Sequence, residues 1–196
     1  MESDWEIEIA PDAPVIDAAW EGFVDLRRNA SHARELSEAV QFPALAETLI
    51  RLNSFSSPVW TAKCDVWPVD EFDPDEMDAD PQSATAAMGC YIDLLPAGAQ
   101  TWSTLENVVE WCRRLCLELR TRSLRRCRGD AIVRSAFFTP EDAGLGITAY
   151  IIACGPSLPE ASARLAEALH VVADSIITLG ASDAVTSKYN ESIVGE

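Results

Sequence analysis

Few residues in this chain have both the type and the spacing for chemistry. Cys127 lies among Arg125, Arg126 and Arg128. Three guanidinium groups around one thiol would lower its pKa and expose a reactive thiolate, or would hold an anion. The competing reading is a solvated helix end, and it is favoured because no glycine-rich phosphate loop or helix N-terminus adjoins the cluster. His170 falls three residues after Glu167 and four before Asp174. A histidine between two carboxylates can act as a general base, but an exposed polar stripe has the same spacing and is the favoured reading. Cys112 and Cys116 share a helical face, which suits two small core residues better than a working thiol pair. Asp65 and Asp93 each sit on a strand of one hairpin and could face one pocket. His32 follows a helix cap and reads as exposed.

The sequence holds no GxSxG, P-loop, HExxH, dinucleotide fingerprint, calcium loop or CxxC. No catalytic residue, metal site or cofactor is therefore assigned.

Charge says more. The 196 residues carry 32 acids against 15 bases, a net charge of −17. Such acidity disfavours nucleic acid and anionic membranes as partners and permits a basic protein. The stretch DVWPVDEFDPDEMDAD (Asp65–Asp80) has eight acids and no base. One reading is a solubilising loop. The sharper reading is a docking surface for a basic protein, with Asp70, Glu71, Asp73, Asp75, Glu76, Asp78 and Asp80 supplying charge and Phe72, Met77 and Trp67 supplying apolar anchors.

Seven of the basic residues crowd into WCRRLCLELRTRSLRRCRGD (Trp111–Asp130). Part of that crowding is a helical lattice, with Glu106, Glu110, Arg114, Glu118 and Arg122 at i,i+4 intervals. Residues 111–128 carry seven Arg and one Glu, a balance of +6, against −8 for residues 65–80. The two segments are expected to pair, within one chain or across a homodimer.

The elements that must position these groups follow from periodicity. WEIEIA alternates and predicts a strand. Val15, Ala19, Trp20, Phe23 and Leu26 form a helical face; Ser31 caps a second helix to about Val40; Pro43 opens a third. Pro58–Val69 predicts a strand with Trp60, Ala62, Cys64 and Val66 on one face and Thr61, Lys63 and Asp65 on the other. It forms a long-tipped hairpin with a strand that begins at Thr85. A capping box at Ser103-x-x-Glu106 opens a helix to about Leu124. Two strands follow, Ala131–Phe138 and Leu145–Gly155, joined by a turn. A second capping box, Ser157-x-x-Glu160, opens a helix that buries Ala161, Leu165, Leu169, Val172, Ile176 and Leu179 and stops at Gly180.

The order β-ααα-ββ-α-ββ-α predicts an α+β fold. A mostly antiparallel sheet of about five strands would carry helices on one face, in a single domain over residues 1–180 with a flexible polar tail at 181–196. There is no signal-like start and no long apolar run, and six cysteines stand without a disulfide framework, which points to the cytoplasm. Frequent Ala and thirteen Arg against two Lys suggest a GC-rich bacterial genome. The leading functional expectation is a non-enzymatic interaction protein, immunity- or adaptor-like, binding a basic protein through an acidic surface. The alternatives are an enzyme or small-molecule binder with a sheet–helix pocket, and an acidic housekeeping protein of a salt-adapted bacterium.

Overall fold

The structure, a computed structural model, describes residues 1–18, 20–98 and 102–194, with residues 182–194 as backbone alone. Its strands are β1 (Glu2–Glu8), β2 (Ile16–Asp17), β3 (Val59–Val69), β4 (Ala86–Pro96), β5 (Cys127–Thr139) and β6 (Asp142–Gly155). Its α-helices are α1 (Ser37–Gln41), α2 (Pro43–Leu52), α3 (Leu105–Thr121) and α4 (Leu158–Val194). The strands form one sheet in the order β1-β5-β6-β4-β3, and β2 continues the β1 edge beside β5. Only the pairings of β1 and β2 with β5 are parallel. The fold is thus α+β, with the mostly antiparallel sheet that the element order predicts. The hairpins β3–β4 and β5–β6 are each followed by a helix and meet along β4–β6.

The helices gather on one face. Alternate strand residues such as Cys90, Ile92, Leu94, Val133, Ile147 and Ile151 point into a core shared with α2, α3 and α4. The six apolar residues expected on the last helix are all buried there. That helix does not stop at Gly180. It runs unbroken to Val194. Gly180 serves close packing instead, because a Cβ at this position would stand 2.6 Å from the Pro58 ring.

Three other expectations are corrected. Residues 15–18 and 20–26 are not helical: Ile16–Asp17 pairs with β5, and Gly22 takes a φ of 96°, which a right-handed helix cannot accommodate. Ala19, on the expected helical face, lies outside the described residues. The segment after it splits into a 3₁₀ turn, Ala30–Glu35, capped by Asn29 rather than Ser31, and the short α1. Helix α3 is capped by Thr104 and ends at Thr121, and β5 begins at Cys127, four residues before the expected start. Arg126, with φ 61°, makes the left-handed turn between them.

A bulge in β3 between Thr61 and Cys64 resets the alternation of that strand. Trp60 and Ala62 therefore pack on the face opposite Cys64 and Val66, instead of sharing one face with them.

Both sheet edges are blunted. On β1, Asp4 takes the Trp5 N–H at 2.8 Å, and Arg120 donates to the Ser3 carbonyl at 2.8 Å. On β3, Asn53 takes the Thr61 N–H, Asp65 takes the Val66 N–H, and Pro68 has none to offer. Edge strands treated in this way resist adding a further strand. Among the described residues no helix is long and apolar enough to cross a membrane.

Candidate functional site

The sheet face away from the helices is covered at its two ends; between them Thr148 and Asp93 are buried, and Tyr91, Tyr150, Asp130 and Ile132 are half-buried. At one end Ile16, Ala18 and Phe23 lie over Trp60, Leu95 and Ala136. At the other, Met77, Ala79 and Ala84 lie over Ala87 and Cys154. Between these walls the strand registers line up rows of side chains across the sheet. One row reads Asp4, Asp130, Tyr150, Tyr91, Asp65 from edge to edge. The next reads Glu6, Ile132, Thr148, Asp93.

The aromatic rings form a ladder. Trp67 and Tyr91 have centroids 6.1 Å apart, and Tyr91 and Tyr150 are 6.0 Å apart. Trp67 lies over Gly89, where a Cβ would stand 2.9 Å from the indole, so glycine at this position allows the ring to lie flat. Burial, together with the Asp93 and Asp65 carboxylates, pushes the Tyr91 hydroxyl up to about 12, so it stays protonated and neutral. On the β1 side the row borders a cleft of about 410 Å³ with Ile132, Ile152 and Tyr150 in its floor and Asp4, Glu6, Asp130 and Arg128 around it.

Beneath the band runs a chain of polar contacts. Arg134 donates to Glu8 Oε2 from Nε at 3.0 Å and from Nη2 at 2.6 Å. Its Nη1 reaches the Thr148 hydroxyl at 3.3 Å, and that hydroxyl donates to Asp93 Oδ1 at 2.6 Å. Asp93 is only 6% exposed. Burial raises its pKa above the ordinary carboxyl value, against the opposing pull of the Thr148 hydrogen bond and the Arg134 and Lys63 charges.

A raised pKa means that the folded state holds this proton to higher pH than the unfolded chain does. Asp93 therefore costs stability as pH rises past the ordinary carboxyl value. Asp93→Asn, which keeps an acceptor for Thr148, is expected to stabilise the protein at pH 7 more than at pH 4. Urea unfolding of both proteins at the two pH values checks this, and a gain that is larger at pH 4 would contradict it.

Asp65 and Asp93 do lie on one sheet face, on either side of Tyr91, but they do not share a pocket. Asp65 is exposed at the rim of a separate cleft of about 420 Å³ that also takes in Trp20, Lys63 and Glu38, whereas Asp93 lines neither cleft.

The acidic loop is folded onto the sheet. Asp70, Glu71, Asp73, Asp75, Glu76, Asp78 and Asp80 are all exposed. Met77, at 3% exposure, and Phe72 pack into the small core of the end wall, so neither projects as an anchor. Two Asx turns shape the loop, Asp73 accepting from the Asp75 N–H and Asp80 from the Gln82 N–H.

The arginines are largely engaged within the chain. Arg128 sits on β5, 2.7 Å from Asp130 and 3.8 Å from Glu76 of the acidic loop. Arg126 donates to the Ser83 carbonyl and hydroxyl. Arg122 pairs with Glu118, Arg113 with Glu110, and Arg120 reaches Asp4. Arg125 is exposed at the turn. The expected meeting of the two oppositely charged segments occurs, within one chain, at Arg128–Glu76.

Cys127 is not an activated thiolate. It is fully buried at the start of β5, and burial pushes its thiol up to about 12. Cys64 is raised to about 12 in the same way, and Cys90, Cys112, Cys116 and Cys154 are also raised by burial. All six cysteines are free. A thiol reagent at about pH 7.5 is expected to find no fast-reacting cysteine in the native protein and all six in denaturant. One rapid native equivalent would overturn this.

His170 points to the neighbouring helix rather than into a cleft. Its Nε2 lies 3.2 Å from Glu47 of α2, and Arg51 pairs with Asp174 alongside. His32 hydrogen-bonds Asn29 in an exposed turn.

Sequence reading missed Tyr91, Tyr150, Arg134 and Glu8 as members of one site. The usable signal was alternation: acids occupy every second position of ESDWEIE, and D-x-I-x-R, T-x-Y and Y-x-D each place polar groups on one strand face. No family model, curated protein or solved structure matches this chain.

Proposed function

We propose that this protein binds a basic segment of a partner protein on its open sheet face and carries out no reaction on it. The observation that carries this reading is the row in which two adjoining tyrosines, their rings tilted at 44°, are flanked by carboxylates, Asp130 and Asp4 on one side and Asp65 on the other. An aromatic surface beside carboxylates suits guanidinium and ammonium groups, through cation–π attraction and ion pairing together. The exposed acids of the neighbouring loop extend the same potential and would speed encounter with a basic partner. The face thus replaces the loop anchors as the centre of the interface, and the loop becomes its charged rim. Six free thiols suit a reducing, cytoplasmic setting for such an adaptor- or immunity-like role.

Titration calorimetry with arginine-rich peptides and with acidic controls of equal length tests the reading. Binding is expected for the basic set alone, weakening with salt, and Tyr150→Ala should lower the affinity about tenfold. Binding that ignores salt or the tyrosines would overturn the proposal, as would no binding at all.

A small-molecule reading draws on one observation, the 420 Å³ cleft where Lys63 lies 5.6 Å from the Trp20 ring. A metabolite whose affinity falls with Trp20→Ala and not with Tyr150→Ala would favour that reading.

A further inference from the structure

We infer that the occupant of this face is a single extended chain crossing the strands, with two basic side chains about six residues apart. This rests on the binding reading above and adds the geometry of the partner.

The two walls set the width. On β4 the stretch between the walls runs from Gly89 to Asp93, with Ala87 under one wall and Leu95 under the other, and Tyr91 at its centre is half-buried while Gly89 and Asp93 are buried. Four residue steps along the strand are about 13 Å, and Trp67 over Gly89 narrows this further. An extended chain fits such a trough, whereas a helix of about 10–12 Å diameter needs its whole width.

The register sets the spacing. The carboxylates at the two edges without an ionic partner among the described residues are Glu6 on β1 and Asp65 on β3, with β5, β6 and β4 between them. Four interstrand steps of about 4.8 Å give about 19 Å, which an extended chain spans in about six residues at 3.3 Å each. An even number returns both basic side chains to the face that meets the sheet. Residues between them pass over the tyrosines.

Charge selects the occupant. Glu6 and Asp65 have no ionic partner among the described residues. A second copy of this chain would bring carboxylates against carboxylates, and like charges placed opposite one another repel. Strand addition at the edges is discouraged by the capped donors of β1 and β3. The face itself therefore offers the contact, through side chains.

The test uses the full-length protein and synthetic peptides of one length and one net charge. Each carries two arginines in a Gly/Ser/Thr background at i,i+2, at i,i+6 or at i,i+10. The i,i+6 peptide is expected to bind at least about fivefold more tightly than the other two at low salt. Asp65→Asn, which keeps an acceptor for the Val66 N–H on an exposed side chain, should make the three affinities equal.

Equal affinities for the unmodified protein, still reduced by Tyr150→Ala, would overturn the spacing and leave the binding reading in place. Failure of every peptide to bind would remove both. Helix formation in the bound peptide, read by circular dichroism, would overturn the extended geometry. So would a stable dimer of the protein alone that the i,i+6 peptide does not dissociate.

Discussion

Leu169→Ala is expected to lower the unfolding free energy by about 3–4 kcal/mol, read as a reduced urea midpoint with an unchanged slope. Leu169 is completely buried on α4, which packs against β6, β4 and α2 at once. Truncation removes the transfer free energy of the lost methyl and methylene groups. It also leaves a cavity that neighbours on three elements cannot readily close, because moving any of them disturbs the other two. Leu117→Ala, on α3 and 55% exposed, is the control and should cost well under about 1 kcal/mol. Similar costs at the two sites would mean that α4 is not seated on the sheet as described.

Arg134→Ala is expected to cost about 2–3 kcal/mol. The side chain is 11% exposed and joins Glu8 to Thr148, and its guanidinium lies 5.7 Å from the Tyr150 ring. Losing one partner of a buried ion pair can cost about 3–5 kcal/mol, but Glu8 is 41% exposed and can rehydrate, so the lower figure applies. The variant also removes a positive charge that pulls the Asp93 pKa down, so the pH dependence of stability should steepen toward neutral pH. Arg134→Met keeps the packing of the stem and should recover part of the loss. An alanine variant as stable as the parent would show that the chain of contacts from Glu8 to Asp93 contributes nothing to the fold.

The face also bears on how acidity should be understood here. A net charge of −17 could be spread as a solvating coat. Of the 32 acids, seven gather on one sheet face, on every second residue of β1 and at Asp130, Asp93 and Asp65, around rings that the helices leave uncovered. This arrangement sets the binding reading above the salt-adaptation reading, because adaptation to salt requires charge and not a row.

The sequence by itself determined the parts of the fold governed by local period and by apolar content. The existence of the hairpin β3–β4 and of the strand pair β5–β6, helix α2 and the buried stripe of α4 from Ala161 to Leu179 follow their patterns, because where no bulge intervenes a residue's face follows from its spacing. It failed where two local preferences competed. Residues 15–26 have helical spacing, yet Ile16, Ala18 and Phe23 gain more by covering Trp60 and Leu95 than they would in an isolated helix, and Gly22 allows the chain to turn there. It failed again at Cys127, where three arginines suggested a lowered thiol pKa and strand burial raised it. A pKa depends on what surrounds the sulfur, and neighbours in sequence do not report that.

Only the tertiary structure decided which residues share the open face. Tyr91 and Tyr150 are 59 positions apart, and Glu8 and Arg134 are 126 apart. They meet because β1 and β6 both pair with β5, and β4 pairs with β6. Strand order and register are properties of the whole sheet. They emerge only when every strand has chosen its neighbours so as to bury one face under the helices, and the other face, with its row of acids and rings, is what that choice leaves open.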